Sequence, residues 1–266
     1  MIRVGLVDGD VVAYSVASSC EIKVDWDNDG KVEQYTKGLD LMMAKVDNVI
    51  DGYFTNLNLD KVRVYLSCPS LDNFRLDYLP TYKGNRRGLL KPKLLPMVQQ
   101  YLRDKYNAQA EPRLEGDDLL GIDATNTEEG VLKIIISIDK DMQTLPVWQN
   151  NPDKGKKRLL KQGWKEAFLF HMLQTVLGDT TDGYQGCYGS GAKAWQKILK
   201  DADEEASMWA NAAQYKAIVW KHVVAEYERK GFTEEEAIVQ ARVSHILWVD
   251  DYNFTTGEVT PWQPPK

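Results

Sequence analysis

VGLVDGD, residues 4 to 10, is a short apolar run that ends in two carboxylates separated by a glycine. An apolar run without polar alternation fits a strand buried on both faces, and such strands belong to parallel sheets. Open α/β sheets carry their chemistry at the carboxyl ends of their strands, so Asp8 and Asp10 stand where a site is expected. Two further runs share this character, VRVYLS at 62–67 and LKIIISI at 132–138, both rich in β-branched residues and bounded by polar or turn residues. Helical stretches lie between and around them, near 39–56, 89–106 and 116–125. The alternation predicts an α/β fold with a mostly parallel central sheet and helices on both faces.

Beyond the loop QNNPDKGKK at 149–157 the pattern turns helical, with predicted helices at 164–177, 191–200 and 204–229. Gly231 stops the last of these, and Thr233 with Glu236 has capping-box spacing for another helix running to about Leu247. VDDYNFTTGEVTPW reads as a hairpin around Thr256-Gly257, while Trp209, Ile218, Val219 and Trp220 have the helical spacing of core residues. The expected division is an α/β core over 1–160, including a basic segment at 75–106, and a helical region over 161–266.

The chain has 266 residues, 33 Lys and Arg against 39 Asp and Glu, and a net charge of -6, which argues against a generic DNA-coating protein. Whole-chain charge hides local asymmetry. Residues 80–106 carry Lys83, Arg86, Arg87, Lys91, Lys93, Arg103 and Lys105 against Asp104, and residues 153–165 carry Lys154, Lys156, Lys157, Arg158, Lys161 and Lys165 against Asp153. No apolar run approaches the roughly 20 residues of a membrane span and no signal-peptide pattern opens the chain, so a cytoplasmic protein is expected. Cys20, Cys68 and Cys187 are too scattered for a disulfide framework or a thiolate zinc site. His171, His222 and His245 lie far apart in sequence and far from the acidic motifs. Any metal would be a hard, oxygen-ligated one.

Acidic residues fall in four clusters at strand ends or helix starts: Asp8 with Asp10, Glu115 with Asp117 and Asp118, Asp139 with Asp141, and Asp179 with Asp182. Carboxylates also cap helices and favour their amino termini, so any one pair is a weak signal, and Asp10 and Asp118 suit that supporting role. Parallel strands deliver their carboxyl ends to one edge, where Asp8 and Asp139 can meet. Crowded carboxylates raise one another's pKa unless cations neutralise them, which magnesium or manganese does. With basic neighbours, the natural substrate is a phosphodiester bridging two metal ions.

The chain resembles the flap endonuclease and 5′-nuclease family, in particular the 5′ to 3′ exonucleases of T7-like phages. The resemblance rests on VDGD at 7–10, FRLDYLPTYKGNR at 74–86, LEGDD at 114–118, IISIDKDMQTLP at 135–146, GDTTDGYQGCYGSGAK at 178–193 and the closing FTEEEAIVQARVSHILWVDDYNF. It implies a PIN-like nuclease core followed by a helix-three-turn-helix region. It makes Asp8, Glu115 and Asp117 ligands of one divalent ion, magnesium or manganese, and Asp139, Asp141 and Asp179 ligands of a second, with Asp182 acting through water or as an outer ligand. The implied reaction is hydrolysis of DNA from 5′ ends to give a 5′-phosphate, with added ribonuclease H-like activity on RNA–DNA hybrids, in a host cytoplasm if the chain is phage-encoded. The family commonly has an aspartate shortly after its second strand; SCPSLDNFR stands here, with Cys68 or Ser70 at the place and Asp72 closer to Phe74-Arg75 than the family spacing.

The resemblance gives Lys83 and Arg86 contacts to the scissile phosphate and lines the DNA path with Arg75, Arg87, Lys91 and Lys93. Tyr14 is expected to stack on a terminal base, with a core tyrosine as the alternative. Gly189, Gly191 and Lys193 would grip a duplex backbone, with a potassium ion held by main-chain carbonyls at 186–191. The partner is duplex DNA with 5′ ends or flaps. Two other readings compete: a haloacid dehalogenase-type phosphatase with Asp8 as nucleophile and Asp10 as acid, and a DNA-structure binder with little or no catalysis.

Overall fold

The structure, a computed structural model, describes residues 1–25, 33–68, 73–86, 88–206 and 210–266. The chain divides into two compact units. The first comprises Met1–Ser70, Gly88–Met142 and Val147–Lys161, and the second Leu71–Arg87, Gln143–Pro146 and Gln162–Lys266. Ser70 and Asp72, weighed at the place of the family aspartate, Arg87, expected on the DNA path, and Trp209, expected in the core, fall outside the described residues.

In the first unit, β1 (Ile2–Asp8), β4 (Lys61–Tyr65), β5 (Val131–Ile136), β6 (Trp148–Asn150) and β7 (Leu160–Lys161) form one sheet in the order β4-β1-β5-β6-β7. All neighbours run parallel except β7, which is antiparallel to β6. The mostly parallel sheet predicted from the apolar runs is therefore present. A separate antiparallel hairpin of β2 (Glu21–Val24) and β3 (Glu33–Thr36) lies outside it.

Register decides which side chains share a face. Val7 is level with Val64 and Ile136, and Gly5 with Val62 and Ile134, so these residues point one way. They pack on α1 (Gly9–Ser19), α2 (Leu39–Leu57) and α3 (Leu95–Tyr106) through Val12, Val16, Val46, Ile50, Val98 and Leu102. The opposite face carries Arg63, Tyr65 and Lys133, which reach Asp123 of α4 (Gly116–Thr125) at 2.8, 2.6 and 2.7 Å, so α4 covers that side. Asp123 and the nearly buried Lys133 would be costly alone; paired, they lock α4 to the sheet.

Asp8 performs the strand-to-helix turn. It ends β1 and its side chain accepts a 3.0 Å hydrogen bond from Val11 N, capping α1. Gly9 follows because nothing larger fits: a Cβ there would lie 2.5 Å from the Tyr65 carbonyl oxygen. Predicted helices at 39–56 and 116–125 appear as α2 and α4, but α3 starts only at Leu95. Pro92 disfavours helical geometry at Lys91, and Pro96 is tolerated because it occupies the first turn. β6 lies partly within the predicted loop 149–157, three residues being too few for a periodic signal.

In the second unit, α5 (Trp164–Leu177), α6 (Ala192–Glu205), α7 (Ala212–Arg229) and α8 (Glu234–Ser244) pack around Met172, Val176, Trp195, Val219, Trp220 and Tyr227. The predicted helix at 204–229 is split, since α7 has its own start: Asn211 and Gln214 form a reciprocal capping box. Thr233 and Glu236 form the one expected for α8. The closing hairpin pairs β8 (Tyr252–Asn253) with β9 (Glu258–Val259). No described helix is long and apolar enough to cross a membrane.

Candidate nuclease residues

At the carboxyl edge of the first unit's sheet, three parallel strands release their chains side by side. Asp8 is 4% exposed, and Ser137 just past β5 donates a 2.7 Å hydrogen bond to its Oδ2. The same hydroxyl accepts from Asp139 N at 3.0 Å, and Asp139 Oδ1 accepts from Asp141 N at 2.8 Å. Burial pushes the Asp8 carboxyl up to about 6, against the bonds from Ser137 and Val11, and the charges of Asp10 and Asp139 push the same way. Asp8 and Asp139 thus meet as predicted, with Asp139 exposed to solvent.

The remaining carboxylates of this unit hang on β4 and α4. Asp10 Oδ2 accepts from Ser67 N at 2.7 Å, beyond β4, and lies 3.2 Å from where a Gly116 Cβ would be. That approach draws the start of α4, with Glu115 and Asp117, to the same edge. Asp118 is fully buried and accepts from Glu115 N at 3.1 Å, and so caps the helix. Cys68, half-buried, donates its backbone N–H to Leu114 O at 3.0 Å. Among the described residues no three His, Cys, Asp or Glu side chains are placed closely enough to enclose a metal ion.

The second unit holds the other acidic pair and both cations expected at the phosphate. Asp179 Oδ1 accepts from the N–H groups of Thr181 and Asp182 at 2.7 and 3.3 Å, shaping the turn after α5. Asp182 is surrounded by donors: Arg86 pairs with Oδ1, while the Lys83 ammonium and the Tyr82 hydroxyl approach Oδ2 at 3.6 and 3.1 Å. Lys83 N also donates to Asp182 O at 2.7 Å, and Asn85 Nδ2 to Thr180 O at 2.6 Å. Gly178-Asp179 follows a helix, which leaves the phosphatase reading without the strand-borne second motif it requires.

Arg75 requires a correction. It is 2% exposed, with Nε donating to Val243 O at 2.9 Å, Nη2 to His245 O at 2.7 Å, and its guanidinium 4.6 Å from the Phe74 ring centre. A guanidinium committed to the carbonyls at the end of α8 does not line a DNA path. Tyr14, by contrast, is 51% exposed on α1 and is no core tyrosine. Lys91 and Lys93 are exposed, and Lys93 Nζ donates to Gln34 O of β3 at 2.9 Å. Gly189, Gly191 and Lys193 are exposed at the turn into α6, where the Lys230 ammonium donates to Gly189 O. The histidines, distant in sequence, are not all distant in space: the His171 and His245 rings lie 5.3 Å apart.

The exonuclease of Escherichia phage T7 is 28% identical across 97% of this chain and 93% of its own length, and the exodeoxyribonuclease of Enterobacteria phage T3 is 27% identical across 97% and 92%. The chain is a homologue of these phage exonucleases. No protein-family model matches it. Among solved structures, the phage T5 protein co-crystallised with metal ions superposes with a TM-score of 0.57 at 17% identity, over 91% of this chain and 89% of that one. The phage T5 flap endonuclease in a pseudo-enzyme–product complex with DNA and metal ions gives 0.52 at 18%, over 90% and 89%. At these identities the superpositions establish the fold alone. Ser137, which joins Asp8 to the Asp139 segment, escaped the motif reading although it stands inside IISIDKD. Its signal is position, directly after a buried strand and two residues before a carboxylate.

Proposed function

We propose that this chain is a metal-dependent 5′ to 3′ exonuclease that hydrolyses phosphodiester bonds of DNA carrying 5′ ends or flaps and leaves 5′-phosphate products. The observation that carries the reading is Asp8: a carboxylate desolvated at the end of the central strand, its carboxyl pushed up to about 6, beside the charges of Asp10 and Asp139. Such a group calls for a counter-ion. The proposed donors are all hard carboxylate oxygens, which suits magnesium or manganese.

In this reading Asp8, Glu115 and Asp117 hold one ion, and Asp139, Asp141 and Asp179 are the ligands of a second, with Asp182 as an outer group. Bound ions supply nucleophile activation and charge neutralisation at the phosphate. Ser137 fixes Asp8 Oδ2, and Asp10 and Asp118 hold backbone N–H groups so that the strand and helix ends keep their positions. Lys83 and Arg86 meet phosphate oxygens, Lys as a point charge and Arg through paired N–H groups. Arg87, Lys91, Lys93 and Tyr14 contact the strand, and Gly189, Gly191 and Lys193 the duplex backbone. A potassium ion at 186–191 would compete with the Lys230 ammonium for Gly189 O. Activity on RNA–DNA hybrids belongs to the same proposal.

The test is incubation of 5′-end-labelled duplex and flap DNA with and without magnesium, using the wild type and Asp8→Asn. Short labelled products that require both magnesium and Asp8 are expected; no metal-dependent product from either substrate would overturn the proposal.

A further inference from the structure

The basic segment after β6 has no part in the site described above, yet the topology brings it to that edge. β6 runs parallel to β5 with Asn150 level with Ile136, so the chain leaving β6 emerges where Asp139 leaves β5. Two bonds fasten the exits together: Ser137 N donates to Asn150 O at 3.2 Å, and Asn151 Nδ2 to Ile138 O at 3.1 Å. Asp153 within the loop acts electrostatically on Tyr53 of α2, as does Asp8. Burial above all, helped by these two charges, pushes the Tyr53 hydroxyl up to about 12.

The loop is built rather than loose. Asn150 is 1% exposed, and its Nδ2 serves the carbonyls of Gly155, Lys156 and Arg158 at 3.1, 3.4 and 2.9 Å. Its Oδ1 has no hydrogen-bond partner among the described residues, an uncompensated cost accepted in holding the loop. Asn151 Oδ1 turns the chain by accepting from Asp153 N and Lys154 N at 3.1 and 3.3 Å. Gly155 has a φ of 147°, in the region where a side chain is strained. The result is an outward display: Lys154, Lys156, Lys157 and Arg158 are all exposed, and none makes an ion pair among the described residues.

We propose that the 151–158 loop is a nucleic-acid contact surface that holds the sugar–phosphate backbone of a DNA strand beside the Asp8–Asp139 edge, an inference that rests on the nuclease reading above. Chemistry selects the occupant. A phosphate chain approaching an edge lined with carboxylates is repelled, and screening beyond about 8 Å leaves only nearby cations to offset that repulsion. Four cations in five residues on a fixed backbone supply them. Residues 153–158 include no apolar side chain that could enter a lipid layer or a protein core.

The experiment compares wild type, the combined variant Lys154→Gln, Lys156→Gln, Lys157→Gln and Arg158→Gln, and Lys61→Gln, an exposed lysine at the opposite end of the sheet. Fluorescence anisotropy with duplex and flap DNA in EDTA gives affinity as a function of salt, and cleavage in magnesium is measured separately. The combined variant is expected to bind at least tenfold more weakly and to lose about 0.9 from the log–log salt slope for each phosphate contact removed. KM should rise with kcat at saturating DNA preserved, and Lys61→Gln should change little. An unchanged slope, or a per-charge loss equal to that of Lys61→Gln, overturns the assignment. Binding in EDTA keeps this outcome distinct from failure of the nuclease reading, which would appear as intact binding without metal-dependent product. Asn150→Ala adds a second arm: it keeps all four cations and adds no charge but removes the amide that holds them, and weaker binding is expected from protein that is still folded at the assay temperature. Unaltered binding would show that the loop's fixed shape is irrelevant.

Discussion

The Ser137 hydroxyl donates to Asp8 Oδ2 at 2.7 Å while accepting from Asp139 N at 3.0 Å, so one side chain joins the ends of two parallel strands. Both acidic segments therefore depend on a residue that is neither acidic nor part of a charge pattern. The bond partly offsets the burial of Asp8 but does not cancel it, and the carboxyl remains raised to about 6.

This raised value has a consequence for stability. A carboxyl with a folded pKa above its ordinary 3.8 stabilises the fold fully below pH 3.8, and that contribution is lost as pH rises through about 6. The metal-free protein should therefore lose roughly 3 kcal/mol at most from this group between pH 4 and 7. Asp8→Asn should flatten that part of the profile, and magnesium at pH 7.5 should stabilise the wild type more than the variant. Urea unfolding across the range measures both; a variant with the wild-type slope and magnesium response would contradict the account.

The sequence makes some of this visible and hides the rest for physical reasons. VGLVDGD reads as a buried strand because burial on both faces leaves no polar alternation to confuse it, and α4 is legible from Glu115 because carboxylates gather at a helix start. The β2–β3 hairpin is not legible: Glu21–Val24 and Glu33–Thr36 are polar enough to pass for loop. Arg75 misleads because a guanidinium has the same donors for carbonyl oxygens as for phosphate. His171 and His245 meet only through the packing of α5 against α8, a relation no local spacing carries.

Arg75→Ala should accordingly act on folding rather than on DNA. Removing the guanidinium leaves the Val243 and His245 carbonyls without these donors, a loss of about 3 kcal/mol or more. Arg75→Lys should recover only part of it, since an ammonium cannot span two carbonyls with a planar fork. Thermal unfolding gives the first result. Salt-dependent DNA binding gives the control, whose slope should stay at the wild-type value; a slope reduced by about 0.9 would return Arg75 to the DNA path.

Cys68 lies just past β4, tied to Leu114 O beside the acidic start of α4. A carboxylate there would add a hard oxygen donor to a set that lacks one relative to the resembled family. Cys68→Asp should lower the magnesium concentration for half-maximal cleavage severalfold, and should destabilise the metal-free protein because another charge joins the edge. A magnesium titration of cleavage, with unfolding in EDTA, tests both signs. An unchanged magnesium requirement would mean that position 68 does not face the ion.

Asp182 holds Arg86, Lys83 and Tyr82 at once, so two cations proposed for phosphate are already engaged, with one of their two charges offset, in the absence of DNA. A phosphate that takes these cations has to compete with that carboxylate. Asp182→Asn removes the competitor without removing the cations, and metal-free binding of DNA should tighten severalfold with a steeper salt dependence. Turnover should fall, because the amide no longer holds the Lys83 ammonium by charge, while the backbone bond from Lys83 N to Asp182 O is left intact. Lys83→Met should show the converse pattern, a large loss of kcat with a smaller loss of affinity. Equal losses in both quantities for Lys83→Met, or weaker metal-free binding by Asp182→Asn, would show that the pair serves the shape of the loop and not the phosphate.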